Sequence, residues 1–205
     1  MTQGQTGKRR RAKGAADVRR DIIIRGLNSV LRTHPQPNSL RMQDLADHLG
    51  FVKGNLYYYF KDKEELIYHS HLKCMEMSLD ALRRAKLSRA RPRVKLRKLI
   101  AEHILALTKG DYSAVLRADM ENISPVRRRK YVKLRDEFEH GVRGLIQQGV
   151  AEGEFVKQDV RIAGFAILGA INWIPKWYRP DGELAPEAIA EQFSDAFMRL
   201  LGGGG

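Results

Sequence analysis

Residues 41–66 read RMQDLADHLGFVKGNLYYYFKDKEEL. Met42, Leu45, Ala46 and Leu49 recur at helical spacing and so share one face of a short helix. Gly50 follows them as a residue suited to the left-handed conformation that closes a helix. Val52, Leu56, Tyr59 and Phe60 make a second short apolar face, and burying it leaves Lys53, Gly54, Asn55, Tyr57, Tyr58 and Lys61 on the other side. Two short helices joined at Gly50-Phe51 have the size of a helix-turn-helix, whose second helix enters the major groove of DNA. The outward set has the chemistry for a groove. A cation and phenol hydroxyls can meet phosphate oxygens, an amide can read a base edge, and a glycine lets the backbone come close. Spacing alone does not separate this motif from an ordinary pair of short helices.

Working outward, every periodic segment is helical. Ile23, Leu27, Val30 and Leu31 line one face upstream, and the two prolines in residues 34–38 interrupt it. Asp62 and Glu65 are spaced as a capping box that opens a longer helix to about Ala85. Leu96, Leu99, Ile100, His103, Ile104 and Leu107 trace the next helix, and Tyr112, Val115 and Leu116 start a shorter one. Ser124-Pro125 reads as an N-cap and first-turn pair for a long helix through Phe138, Val142 and Ile146, ended by Gly149 and Gly153. Residues 159–177 are apolar nearly all round, and Ile189, Phe193, Ala196, Phe197 and Leu200 form a last amphipathic helix. No alternating strand pattern or internal repeat occurs, so the fold class is all-α. Residues 1–16 are expected to be a disordered basic arm and residues 202–205 a flexible tail.

The chain has 205 residues and a formal net charge of +13. Its basic charge is concentrated in residues 1–20 and 71–100, whereas residues 136–205 are acidic. Such a balance favours an anionic partner, nucleic acid or an acidic membrane surface. A single cysteine, Cys74, excludes an internal disulfide and fits a reducing compartment, so a cytoplasmic location is expected. Cys74 itself is expected to pack as a small hydrophobe. The longest weakly polar run, residues 163–175, is too short to span a bilayer, and no secretory signal is visible.

Asp44-Leu45-Ala46, Gly50, residues 53–60 (KGNLYYYF) and Lys63-Glu64-Glu65-Leu66 closely resemble the DNA-binding signature of the tetracycline-repressor (TetR) family. The resemblance covers residues 17–77. It implies about nine helices, three of them in a DNA-binding head (17–77) and the rest in an effector-binding and dimerising domain (78–201). It also implies that Arg41, Gln43, Lys53, Gly54, Asn55, Tyr57, Tyr58, Lys61 and Lys63 contact DNA. Residues 168–173 (LGAINW) and 177–182 (WYRPDG) look like a segment frequent in the eighth helix of such regulators. Two positions depart from the pattern. Val52 replaces the usual Ser or Thr that opens the recognition helix, and Leu40-Arg41 replaces a hydroxyl pair before the preceding helix.

The expected protein is a ligand-responsive DNA-binding regulator, a repressor released from a palindromic operator by a small, mostly apolar effector. Fatty-acyl and aromatic compounds, or their coenzyme A thioesters, are the effector classes the resemblance suggests. Leu99, His103, Leu107, Phe138, Asn172 and Trp173 are the candidate effector-binding residues. Ile162, Phe165, Ala166, Gly169, Phe193 and Phe197 are the candidate homodimer contacts. Arg127–Lys130, Lys176 and Arg179 are alternative cations for a thioester's phosphates, and residues 8–13 a candidate backbone contact to DNA. No cofactor, metal, membrane partner or catalytic residue is expected. There is no HExxH, phosphate-cradling glycine loop or nucleophile elbow, and His69 and His71 do not share a helix face. The competing classes are a basic membrane-surface or scaffold protein using residues 83–98, which lack the opposing apolar face, and an enzyme.

Overall fold

The computed structural model describes residues 3–33, 39–109, 113–117 and 123–202. Eight α-helices carry it: α1 (Gln3–Thr33), α2 (Met42–Leu49), α3 (Lys53–Tyr59), α4 (Lys63–Leu87), α5 (Pro92–Thr108), α6 (Pro125–Ala151), α7 (Val160–Trp177) and α8 (Pro186–Leu200), with a 3-10 turn at Ser113–Arg117 between α5 and α6. The fold is all-α, with no strand among the described residues.

Four expectations are corrected here. The arm expected to be disordered over residues 1–16 is instead, from Gln3 onward, the start of α1. Residues 8–16 are Lys, Arg and Ala except for Gly14, and these are strong helix formers that extend a helix already nucleated by Ile23, Ile24 and Leu27 in the core. The short helix expected from Tyr112, which itself lies outside the described residues, is only the 3-10 turn, so the described helices number eight α rather than nine. The Val115 N–H donates to Asn28 Oδ1 (3.1 Å) on α1, which takes it out of an α-helical ladder. Gly202 is not part of a free tail. It sits at φ 63° and its carbonyl accepts from the Arg93 guanidinium at 3.1 Å; the rest of that tail, 203–205, lies outside the described residues. The fourth is Val52, which does not join the apolar face of its helix.

Two cores form, and α4 belongs to both. Ile23, Ile24, Leu27 and Leu31 of α1, Leu45 and Ala46 of α2, Leu56 of α3, Phe60, and Leu66, Ile67, Tyr68 and Cys74 of α4 make the head, joined by Ala114, Val115 and Ile123. From Met75 onward α4 turns its apolar side to α5 and α6, which join α7 and α8 in a second, larger core. Gly26 permits close approach of α1 and α2, since a β-carbon there would stand 2.3 Å from the Leu49 side chain. The larger core is closed at its far end by Arg93. The Arg93 N–H donates to Glu154 (2.8 Å) and its guanidinium to the carbonyls of Met198 and Gly202.

Two polar ties join the head to the larger domain, one from the segment between α5 and α6 and one from the start of α6. Asn28, buried in α1, receives the Val115 N–H. Glu64, in the first turn of α4, receives the Ser124 N–H (3.0 Å) and the Arg127 guanidinium (2.8 Å). Ser124 thus opens α6 without a side-chain cap of its own.

Candidate nucleic-acid interface

The turn between α2 and α3 is made by Gly50, whose φ of 64° is the left-handed conformation a side chain resists. Its N–H closes α2 on the carbonyls of Ala46 and Asp47. At the other end of α2, Asp44 accepts from the Arg41 N–H (2.9 Å) and from its guanidinium (2.8 Å), so Arg41 is exposed but already ion-paired. Gln43 donates to Asp47 (2.6 Å) one turn on.

In α3 the division of faces is sharp. Leu56 is fully buried, with Phe60 behind it, and Tyr59 is half-buried. Lys53, Gly54, Asn55, Tyr57 and Tyr58 are exposed, Tyr58 at 80%. The Lys53 ammonium lies 5.9 Å from the Tyr57 ring, and Tyr58 meets Tyr59 edge to face at 5.0 Å. No atom would approach a β-carbon on Gly54 within 4 Å, so this stretch of backbone faces open space. Val52, expected to be buried, is 74% exposed. It holds the N-cap position in an extended conformation, which aims its side chain away from the core, and Phe51 packs against the head instead. The end of the motif is pinned by Asp62, which accepts the Glu65 N–H (2.6 Å), while Glu65 reaches back to the Lys61 N–H (2.9 Å). Lys61 is exposed; Lys63 is half-buried at the start of α4, and that burial lowers its ammonium pKa.

Of the six candidate effector residues the fold brings four together. Leu99, His103 and Leu107 on α5 and Phe138 on α6 are all buried in the larger core, and the His103 and Phe138 rings lie 4.6 Å apart. The polar partner of His103 is Ser78 on α4 (2.8 Å), whose hydroxyl also reaches the Cys74 carbonyl (3.1 Å). Sequence reading missed Ser78, which stands 25 positions away with no motif around it. Burial pushes the His103 pKa down to about 4, so the ring is neutral at physiological pH. Asn172 and Trp173 are corrected: both are exposed on α7, Trp173 at 63%, because Leu168, Ile171 and Ile174 occupy the inward side of that helix.

The same outward side of α7 carries Ile162 (63% exposed), Phe165, Ala166 and Gly169. The Arg143 guanidinium sits 4.6 Å from the Phe165 ring. On α8, Phe193 is half-buried and stacks near Trp177, but Phe197 is corrected to a core residue, packed edge to face on Phe193 at 5.7 Å. Among the alternative cations, Arg127 is held by Glu64, with Asp62 and Glu65 each at 3.8 Å. Cys74 is buried in the head core, where desolvation raises its thiol pKa to about 12.

Residues 37–68 match the family described as bacterial regulatory proteins, tetR family, and residues 89–201 match the tetracyclin repressor-like C-terminal domain. The chain is similar to the HTH-type transcriptional repressor KstR2 of Rhodococcus jostii (strain RHA1), at 26% identity over 156 residues, covering 74% of this chain and 76% of the relative. Among solved structures it is similar to the TetR family transcriptional regulator PfmR from Thermus thermophilus, with a TM-score of 0.78 and 31% identity over 86% of this chain and 97% of that one. It also shares its fold with AibR, solved in complex with isovaleryl coenzyme A and operator DNA, at a TM-score of 0.73 and 22% identity, covering 89% and 97% of the two chains.

Proposed function

Since the chain belongs to the tetR family of bacterial regulatory proteins and is a ligand-responsive DNA-binding repressor, we propose that α3 is its reading helix, with Lys53, Gly54, Asn55, Tyr57 and Tyr58 against DNA and Arg41, Gln43, Lys61 and Lys63 around it. Its partners are double-stranded DNA, a small-molecule effector and a second copy of the chain. The observation that carries the reading is the one-sided burial of α3: Leu56 and Phe60 fix it to the head, and five polar, aromatic or backbone-exposing positions are left without protein cover. In that placement Lys53 meets phosphate and the Asn55 amide addresses a base edge. The second copy packs on the outward side of α7, with Ile162, Phe165, Ala166, Gly169 and Trp173, and on Phe193 of α8. The two heads then read half-sites about one helical turn, or a multiple, apart.

For the effector we propose a mostly apolar molecule that enters between α5 and α6, where Leu99, His103, Leu107 and Phe138 pack together, with the neutral His103–Ser78 pair as its polar anchor. A fatty-acyl or aromatic compound, or its coenzyme A thioester, is the class we propose; the isovaleryl coenzyme A bound by AibR supports that direction. Such a ligand parts α5 from α6. The segment between those helices and the first turn of α6 hold Asn28 and Glu64 of the head, so the shift reaches the reading helices and favours a spacing that no longer matches the operator. The protein acts in the cytoplasm on DNA and performs no catalysis of its own. Among the described residues no helix is long and apolar enough to cross a membrane.

Selection of bound duplexes from a random pool should return a palindrome. On it, Lys53→Ala should weaken binding to all sequences and Asn55→Ala should change the preferred base at one position per half-site. Wild-type affinity and preference in both variants would remove α3 from the interface. A thermal-shift panel of fatty acids, aromatic acids and their thioesters, followed by operator release with the hits, tests the effector. Release only by small polar compounds or metal ions would overturn the apolar-pocket reading and leave the repressor intact.

A further inference from the structure

A recess of about 360 Å³ opens between α1 and α3, lined by Arg19, Phe51, Asn55, Tyr58 and Tyr59. Four of these residues belong to the helix-turn-helix; Arg19 comes from α1. It is exposed, and among the described residues it enters no ion pair. Its neighbours on the head are differently placed. Arg20 lies 5.6 Å from the Phe60 ring, Arg25 and Lys73 both reach Asp21 (2.9 and 3.8 Å), Arg41 pairs with Asp44 and Lys61 is 3.9 Å from Asp62. The Arg20–Phe60 contact and the buried Ile23 and Ile24 fix α1 against α3, so the position from which Arg19 projects is set by the core.

We propose that this recess seats one DNA phosphodiester, making α1 a DNA-contacting element alongside the two-helix motif. This rests on α3 being the reading helix. A guanidinium fork presents parallel donors that match two phosphate oxygens, and the Tyr58 hydroxyl can donate to the same group. Asn55 stands on the same wall, so a phosphate held there fixes the register of the base its amide addresses. Arg19 is thus a positioning residue: it adds affinity to every sequence and brings the reading amide to one base step.

The test uses the full-length dimer and two duplexes, one selected by wild type from a random pool and one unrelated. Arg19→Ala should lose about a hundredfold in affinity on both, about tenfold for the one charge-assisted contact that each of the two heads makes. The slope of log affinity against log salt should fall by about 0.9 per contact, hence about 1.8 for two heads. Arg19→Lys should keep the slope, and Tyr58→Phe should lose affinity with little change in slope. Neutral methylphosphonates walked along the selected half-site should reveal one position where wild type is weakened and Arg19→Ala is not. A wild-type slope in Arg19→Ala, or no position at which the two proteins differ, overturns the phosphate seat while leaving α3 in place. If wild type selects no sequence at all, the reading of α3 fails and the seat with it. Among the described residues Arg19 has no ion pair to lose, so unfolding temperatures of the variants should match wild type.

Discussion

Val52 shows how a single residue can be read wrongly from spacing. It falls in register with Leu56 and Phe60, yet it is the N-cap rather than a helical position, and an extended cap residue does not follow the helical face. Its side chain makes no cap hydrogen bond, so an orphan donor of α3 goes without that partner. Val52→Ser should therefore stabilise the chain by about 1 kcal/mol, raising the melting temperature by roughly 2–4 °C. An unchanged or lower value would mean the cap geometry is wrong. His103 gives the opposite lesson, since its place on an apolar face correctly indicated burial, while its partner Ser78 was legible only in three dimensions. The folded pKa of about 4 lies below the ordinary histidine value of 6.5, so the fold prefers the neutral ring. Stability is then full above pH 6.5, falls as pH drops from 6.5 toward 4, and levels below that, with at most about 3 kcal/mol at stake. Denaturant unfolding at a series of pH values should show this slope in wild type and its loss in His103→Phe, whose ring keeps the contact with Phe138. The Ser78 hydroxyl retains the Cys74 carbonyl in that variant. An identical slope in both proteins would assign the pH dependence to other groups.

At the scale of elements, most helices were legible because they carry an apolar stripe of the right period, and the motif at residues 41–66 was legible from Gly50 between its two short helices, the Asp62 cap that opens α4 after them and its resemblance to the TetR signature. What spacing does not give is which element touches which. Asn28 and Val115 are 87 positions apart and Glu64 and Arg127 are 63 apart, and no local pattern marks either pair. Nor could spacing assign the faces of α7, which is apolar nearly all round; Trp173 and Ile171 look alike in sequence but lie on opposite sides. The Ser124 N–H and the Arg127 guanidinium hold the Glu64 carboxyl below its usual range, so this tie is present at neutral pH and weakens as pH falls through the depressed value. Glu64→Gln, Arg127→Ala and the double variant should be non-additive by about 0.5–2 kcal/mol in unfolding. They should also need more effector to release the same operator fraction, because the head is less firmly coupled to the effector domain. Additive stabilities with unchanged release would make the contact a surface ion pair of little consequence.

For the whole molecule, the remaining question is how two heads are held at a fixed spacing. The outward side of α7 exposes Ile162 and Trp173 to the same degree, 63%, with Phe165 between them and small residues at 166 and 169 that let a second helix approach. Leu200 on α8 is also more than half exposed. A patch of this kind on a single chain is a contact surface. In the dimer proposed above, a two-fold axis runs through this patch and pairs it with itself, which leaves both α3 helices free. Because these side chains make little contact within their own chain, charging them should not unfold it. Ile162→Glu and Trp173→Glu together should give a folded monomer, seen as a halved mass by light scattering with helical content unchanged. A monomer binds one half-site at a time, so operator affinity should drop by about 10²–10⁴-fold as the two-headed attachment is lost, while weak binding to unrelated DNA through one head should be affected far less. A dimer that persists with both charges in place would move the interface off α7, and a monomer that still binds the palindrome as tightly as wild type would show that the heads do not act as a linked pair.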